Sequence, residues 1–147
     1  MATNPLIQQG TLNRVRTSLV VPNYPNLNVT APYLGKSQIT VDLAGPFDDL
    51  IGTATGAVTS PEPYTMGTMT VNLLKTQSLA AQWLAQAQTT SDLGTITAHS
   101  DSASWPEITL NSAIIRQIEP GVYDGTDPVI RVTLEGVFYL NNDLWNL

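Results

Sequence analysis

"YTMGTMTVNLL" (Tyr64–Leu74), followed almost at once by "TQSLAAQWLAQAQ" (Thr76–Gln88), decides the fold. The first segment reads as an extended strand. In the second the period changes: Leu79, Ala80, Trp83, Leu84 and Ala87 fall on one helical stripe, which is the expected packing face. Thr76 or Ser78 can serve as N-cap, though neither has a Glu or Gln three residues on, and Gly94 is a plausible stop. This is the one convincing helix, of about three turns. Its other face carries Gln82, Gln86 and Gln88, with no charge between Lys75 and Asp92. Contact with another subunit and simple solvation both fit such a face.

Outward from this junction, strand signals dominate. In "TLNRVRTSLVV" (Thr11–Val21), Val15, Thr17, Leu19 and Val21 share a face. In "LNVTAPYL" (Leu27–Leu34) the shared face is Leu27, Val29, Ala31 and Tyr33, and Pro32 argues for an edge or a bulge. Gly35-Lys36 reads as a tight turn. In "SQITVDLA" (Ser37–Ala44), Ile39, Val41 and Leu43 alternate against Gln38, Thr40 and Asp42. Three strand candidates follow the helix: "GTITAH", "EITLNSAIIRQIE" and "PVIRVTLEGVFYLN". In the last, Ile130, Val132, Leu134, Phe138 and Leu140 share a face that Gly136 interrupts. The turn cluster "PGVYDGTDP" precedes it. About seven strands with mostly short connections predict a mainly β fold. Its expected form is two packed antiparallel sheets, a sandwich or barrel, with one flanking α-helix. The length suits a single domain, 1–147, with an extended loop at about 45–63.

That loop belongs to "AGPFDDLIGTATGAVTSPEPYTMG" (Ala44–Gly67), which holds four glycines, three prolines and no hydrophobic period. Loops this long are usually functional or disordered.

Composition narrows the function. Charged residues make up 12% of the chain, against about 25% in ordinary soluble domains. Because the cores of protein interfaces are depleted of charge, much of this surface can be read as covered by other subunits, or as a neutral-polar composition with no such meaning. The net charge is −6, and the six basic residues are scattered, the opposite of a nucleic-acid-binding footprint. With no cysteine there is no thiolate metal site or cysteine nucleophile. The N-terminus shows no basic start and no apolar run, so no signal peptide is expected, and no segment approaches the roughly 18 to 20 apolar residues of a membrane span.

Catalytic chemistry finds little footing. The single histidine, His99, lies beside Ser100 and Asp101, too close along an extended segment for a spatial triad. One histidine is too few for zinc, and "DGTD" (Asp124–Asp127) lacks the spaced acids of a calcium loop and reads as Asx turns. Asp48 and Asp49, adjacent in a Gly/Pro loop, are expected to point apart. No phosphate-cradling glycine motif occurs. The expectation is a non-enzyme without catalytic residues, cofactor or metal.

Four segments together resemble phage tail tube proteins. These are "QGTLNRVRTSLVV" with "LNVTAPYLGKSQITVDL", then "TMTVNLLKTQSLAAQW", then "GVYDGTDPVIRVTLEGVFYLNN". The resemblance covers nearly the whole chain in order, spacing and length, and no single motif is diagnostic. It implies the fold of the superfamily that includes the type VI secretion tube, and it leans towards a contractile-tailed phage. It further implies hexameric rings, an inner barrel joined from strands of neighbouring subunits, and stacking into a tube that conducts double-stranded DNA without specific binding. Partners would be further copies of itself, the tail sheath, and baseplate and tail terminator proteins; the place would be the virion tail, assembled in the host cytoplasm. Six copies would carry 6 × −6 = −36 charges, and a negative lumen repels phosphates over a Debye length. Asp42 and Glu135 are the expected lumen-facing acids. Phe47, Asp48, Asp49, Leu50 and Ile51 are the expected inter-ring contact, in a loop kept disordered when free by its glycines and prolines. The alternatives are another ring-forming tail component, or a ligand-binding β-barrel of lipocalin type with an apolar interior cavity.

Overall fold

The alternating segments form strands, each pairing antiparallel with its neighbour. The computed structural model describes residues 9–146. Among them are β1 (Ser18–Val20), β2 (Val29–Thr30), β3 (Leu34–Leu43), β4 (Asp48–Gly52), β5 (Ala57–Pro61) and β6 (Tyr64–Leu74). The helix α1 (Ser78–Thr89) follows, then β7 (Asp92–His99), β8 (Ile108–Glu119) and β9 (Val129–Tyr139). Seven strands make one antiparallel sheet in the order β2-β1-β7-β8-β9-β6-β3, and β4 pairs only with β5. The fold is mainly β with one helix, as predicted.

The two sheets are unequal. No residue of β4 or β5 is buried, so the core lies within the large sheet's own curl. Chain length forces that curl. β2 and β3 are opposite edges, yet only Ala31–Tyr33, a 3-10 turn, separates them. Thr30 to Leu34 spans at most about 14 Å of extended chain, whereas seven flat strands would set their edges about 29 Å apart. The edges therefore meet at this corner. They are not joined by a ladder, and the sheet does not close into a barrel. The Gln38 side chain reaches across, donating from Nε2 to Arg14 O at 2.9 Å.

The inner face of the curl is apolar. Met69, Val71 and Leu73 of β6 lie opposite Leu134, Val132 and Ile130 of β9, all buried. Leu19, Val21, Leu27, Leu110 and Trp83 complete a single core. Gly136 does not interrupt this face. It pairs with Gly67, and Leu110 occupies the space that the two missing side chains leave.

Several local expectations change. Only Ser18–Val20 of the first candidate is strand; Arg14–Arg16 is a 3-10 turn capped by the Asn13 side chain, which leaves Val15 exposed. Gly35-Lys36 is no turn, because the chain continues into β3 through a register shift between Leu34 and Ile39. Gln77 is the N-cap of α1, without a side-chain cap, and the helix ends at Thr89. Gly94 lies instead within β7, left-handed at φ +77, where the pairing with β8 shifts. Of the predicted helix face, Leu79, Ala80 and Trp83 are buried and Ala87 is partly buried against the core, but Leu84 is exposed: the apolar stripe is narrower than its sequence. No helix among the described residues is long and apolar enough to cross a membrane.

Candidate functional site

Residues 45–63 are the largest surprise. In place of a patternless loop they hold a β-hairpin, with Asp48 opposite Pro61 and Gly52 opposite Ala57. Thr53 N–H donates to Gly56 O and closes the turn. The base is pinned to the body. Asn141 Nδ2 donates to both Phe47 O (3.0 Å) and Glu62 O (2.8 Å) from a left-handed backbone at φ +46, which Asn tolerates. Asp48 and Asp49 do point apart, onto opposite hairpin faces. Beyond the base, both faces carry exposed apolar groups: Leu50 is 73% exposed, and Ile51 and Val58 are each more than half exposed. A two-stranded ribbon is marginal in water by itself. Apolar side chains are exposed on both of its sides, and the ribbon adds nothing to the core. The five-residue runs "DDLIG" and "AVTSP" around a Gly-containing turn were the available signal.

The outer face of β3, β6, β9 and β8 is the second feature. Cross-strand rows run Thr40–Thr70–Thr133–Gln117 and Asp42–Thr68–Glu135–Ile114. Asp42 and Glu135, expected on one wall, therefore do share a row, two strands apart. Glu135 is not free, because Arg116 Nη1 lies 3.5 Å from its Oε2. The charged residues of these four strands are Lys36, Arg116 and Arg131 against Asp42, Glu119 and Glu135, so 3 − 3 = 0. This face is formally neutral and mixed: beside the threonine rows it exposes Tyr64, Met66, Ile114 and Tyr139. The acidity lies elsewhere: between Ala44 and Gly67 stand Asp48, Asp49 and Glu62 and no base.

At the other end of the sheet the β8–β9 connection forms the third feature. Asp124 Oδ1 accepts from Thr126 Oγ1 (2.6 Å) and Thr126 N (2.9 Å), and Asp127 accepts from the N–H groups of Val122 and Val129. These are Asx turns, as the sequence indicated. The Thr126 hydroxyl and N–H hold the Asp124 carboxyl below the ordinary range; the Val122 and Val129 N–H groups do so for Asp127, with help from Lys75 and Arg131. Depressed values stabilise the folded turn above the ordinary aspartate range near 3.9, and this contribution is lost as pH falls through the depressed values. The Thr126 and Val122 amide resonances are therefore expected to stay in place down to about pH 4.5 and to move only below it, each with its own aspartate; movement centred near pH 6 would contradict these contacts. Lys75 Nζ donates to Val122 O (2.8 Å) and lies 5.1 Å from the centre of the exposed Tyr123 ring. Beside this turn a cavity of about 210 Å³ is lined by Lys36, Ser37, Asn72, Glu119, Asp127 and Arg131.

His99 and Asp101 serve different partners. His99 Nδ1 is 2.7 Å from Glu107 Oε2, while Asp101 accepts from Asn13 N (2.8 Å) and pairs with Arg16 at 3.4 Å. The two hold the 100–107 segment and the N-terminal 3-10 turn against the sheet. Among the described residues no three His, Asp or Glu side chains converge on a possible metal position. Compared with known protein families and with curated proteins, the sequence matches none.

Proposed function

We propose that this chain is a structural subunit that completes itself by joining identical copies, and specifically a phage tail tube protein stacked in hexameric rings. The observation that carries the reading is the exposed, acidic and apolar hairpin, anchored at its base and covered by nothing among the described residues. Two further features support it. The edge strands β2 and β3 of the large sheet pair with no further strand among the described residues, and β3, ten residues long, is a template for pairing unless a neighbour covers it. The outer face is a broad threonine-rich surface with interspersed charges, suited to water and to passing DNA that must not stick. The formally neutral sum of that face gives phosphates no net attraction to hold them, so the genome slides without needing an acidic wall. Sheath, baseplate and terminator proteins are the partners this reading implies, in the virion tail. A lipocalin-type reading is disfavoured because the interior is filled by Trp83 and its neighbours.

Negative-stain microscopy of the concentrated protein tests the proposal. Hollow tubes are expected. Isolated rings would indicate another ring component of a tail, and featureless particles would sink the reading. Deleting Phe47–Ile51 is expected to abolish long tubes while leaving the far-ultraviolet β signature, since none of these residues contributes to the core.

A further inference from the structure

Two separate ladders meet at the root of the hairpin. The β3–β6 ladder ends at the Leu43–Gly67 pair, and the β4–β5 ladder starts at the Asp48–Pro61 pair. The chain between them includes Gly45, left-handed at φ +91, on one side and Glu62 and Pro63 on the other. No residue of β4 or β5 is buried, so burial does not set the direction in which the hairpin points. Among the described residues, the hydrogen bonds that tie 47–62 to the rest of the chain are the two from Asn141 Nδ2, to Phe47 O and to Glu62 O. A carboxamide nitrogen carries two N–H donors, so one side chain holds both strands.

Asn141 is itself held from both sides. Leu140 before it is buried and donates its N–H to Pro63 O at 3.0 Å. After it the chain enters a 3-10 turn over Asn142–Trp145, where Leu144 N–H donates to Asn141 O at 2.9 Å. That turn brings the Trp145 ring edge-on to Tyr139 of β9, with 6.1 Å between ring centres.

We propose that this turn is a latch: the Asn141 carboxamide fixes the direction of the hairpin on the body, and Trp145, resting on Tyr139, keeps Asn141 where it can do so. Asn141 is a positioning residue, exposed and outside the core. With the latch open, the hairpin swings about Gly45 and Pro63. The device works within one chain, so it stands or falls apart from the tube reading. Asn141→Asp opens it at nearly constant size, because an ionised carboxylate only accepts and would face two carbonyl oxygens. Asn141→Gly removes the amide but keeps a residue that adopts the left-handed backbone freely.

The chain has no cysteine, and Ala54 at the hairpin tip and Gln82 on α1 are exposed, so Ala54→Cys with Gln82→Cys takes two spin labels. Their separation is measured by pulsed electron paramagnetic resonance in single chains, checked by sedimentation velocity. The ribbon is about 16 Å long, so a swing of roughly 30° carries its tip about 8 Å. The labelled parent is expected to give one narrow distribution. Asn141→Asp and Asn141→Gly are each expected to broaden it by about that displacement, and Trp145→Ala by a smaller one. The urea midpoints of both Asn141 variants are expected to stay at the parent value, which separates an opened latch from a weakened fold. A narrow distribution in Asn141→Gly, or a broad one in the parent, would overturn the latch. A distribution in Trp145→Ala as narrow as the parent's would overturn the part given to Trp145.

Discussion

Trp83→Ala is expected to cost about 3–5 kcal/mol of stability, read as a lower urea midpoint at unchanged slope. A domain of this size can absorb about one such loss, since total stabilities run about 5–15 kcal/mol. Trp83 is fully buried and is the largest side chain of the core, where α1 closes the curl of the sheet. Its indole Nε1–H has no hydrogen-bond partner among the described residues. That orphan makes the phenylalanine variant informative. Trp83→Phe leaves a void, but it also removes an unsatisfied buried donor, worth about 1–3 kcal/mol. The two effects oppose, so Trp83→Phe is expected to cost less than about 2 kcal/mol. A loss above about 3 kcal/mol for Trp83→Phe would mean that Nε1–H is bonded in solution. Fluorescence offers an independent check. Trp105 and Trp145 are 67% and 58% exposed, so the blue-shifted emission belongs to Trp83 and should vanish in both variants.

What the sequence made legible, and what it hid, follows from burial. The strands β6 and β9 were readable because one face meets the core and the other meets water, which imposes alternation. The same alternation placed Asp42 and Glu135 on one face. The hairpin was invisible for the converse reason: neither face of β4 or β5 is buried in this chain, so no selection for inside and outside writes a period into Asp48–Pro61. Pattern arguments read the chain's own core, and a strand that contributes nothing to that core falls outside them. Other misses are non-local. Val15 looked like a strand residue, but its turn is fixed by Asp101, 88 residues away from the Asn13 it binds. Gly35-Lys36 looked like a hairpin turn because β2 and β3 are consecutive. They are instead opposite edges of the sheet, and only the topology says so. The Arg116–Glu135 pair belongs to the same class: it neutralises an acid that strand parity alone would present as free. Leu84 fits the helical stripe yet stays exposed, because the surfaces meeting α1, the 3-10 turn at Pro25–Leu27 and β6, do not reach that far round the helix.

The second large effect concerns the paired glycines beneath Leu110, and here the double mutants matter more than the singles. A Cβ built on Gly136 would sit 2.7 Å from Leu110 Cβ, 3.1 Å from Asn111 O and 3.3 Å from Ala113 Cα. Those atoms are backbone, or fixed to it, so β8 itself must move. A Cβ on Gly67 would meet Leu110 Cδ2 at 2.5 Å and Leu43 Cδ2 at 3.2 Å, both ends of rotatable side chains. Gly136→Ala is therefore expected to lose about 2–3 kcal/mol and Gly67→Ala about 1 kcal/mol, within the usual range for overpacking. Leu110→Ala alone should lose about 2–5 kcal/mol as a cavity. In combination the two glycines must behave differently. Leu110→Ala deletes Cδ2, so it relieves the clash at Gly67, and that double mutant should be more stable than the sum of its parts by about 1 kcal/mol. It keeps Cβ and every backbone atom of β8, so it gives Gly136→Ala no relief, and those two losses should add. Equal coupling in both cycles, read by chemical denaturation, would show that Leu110 does not reach over the Gly67–Gly136 pair as described. The pair would then be open for another reason, and β8 would be free to shift away from β9.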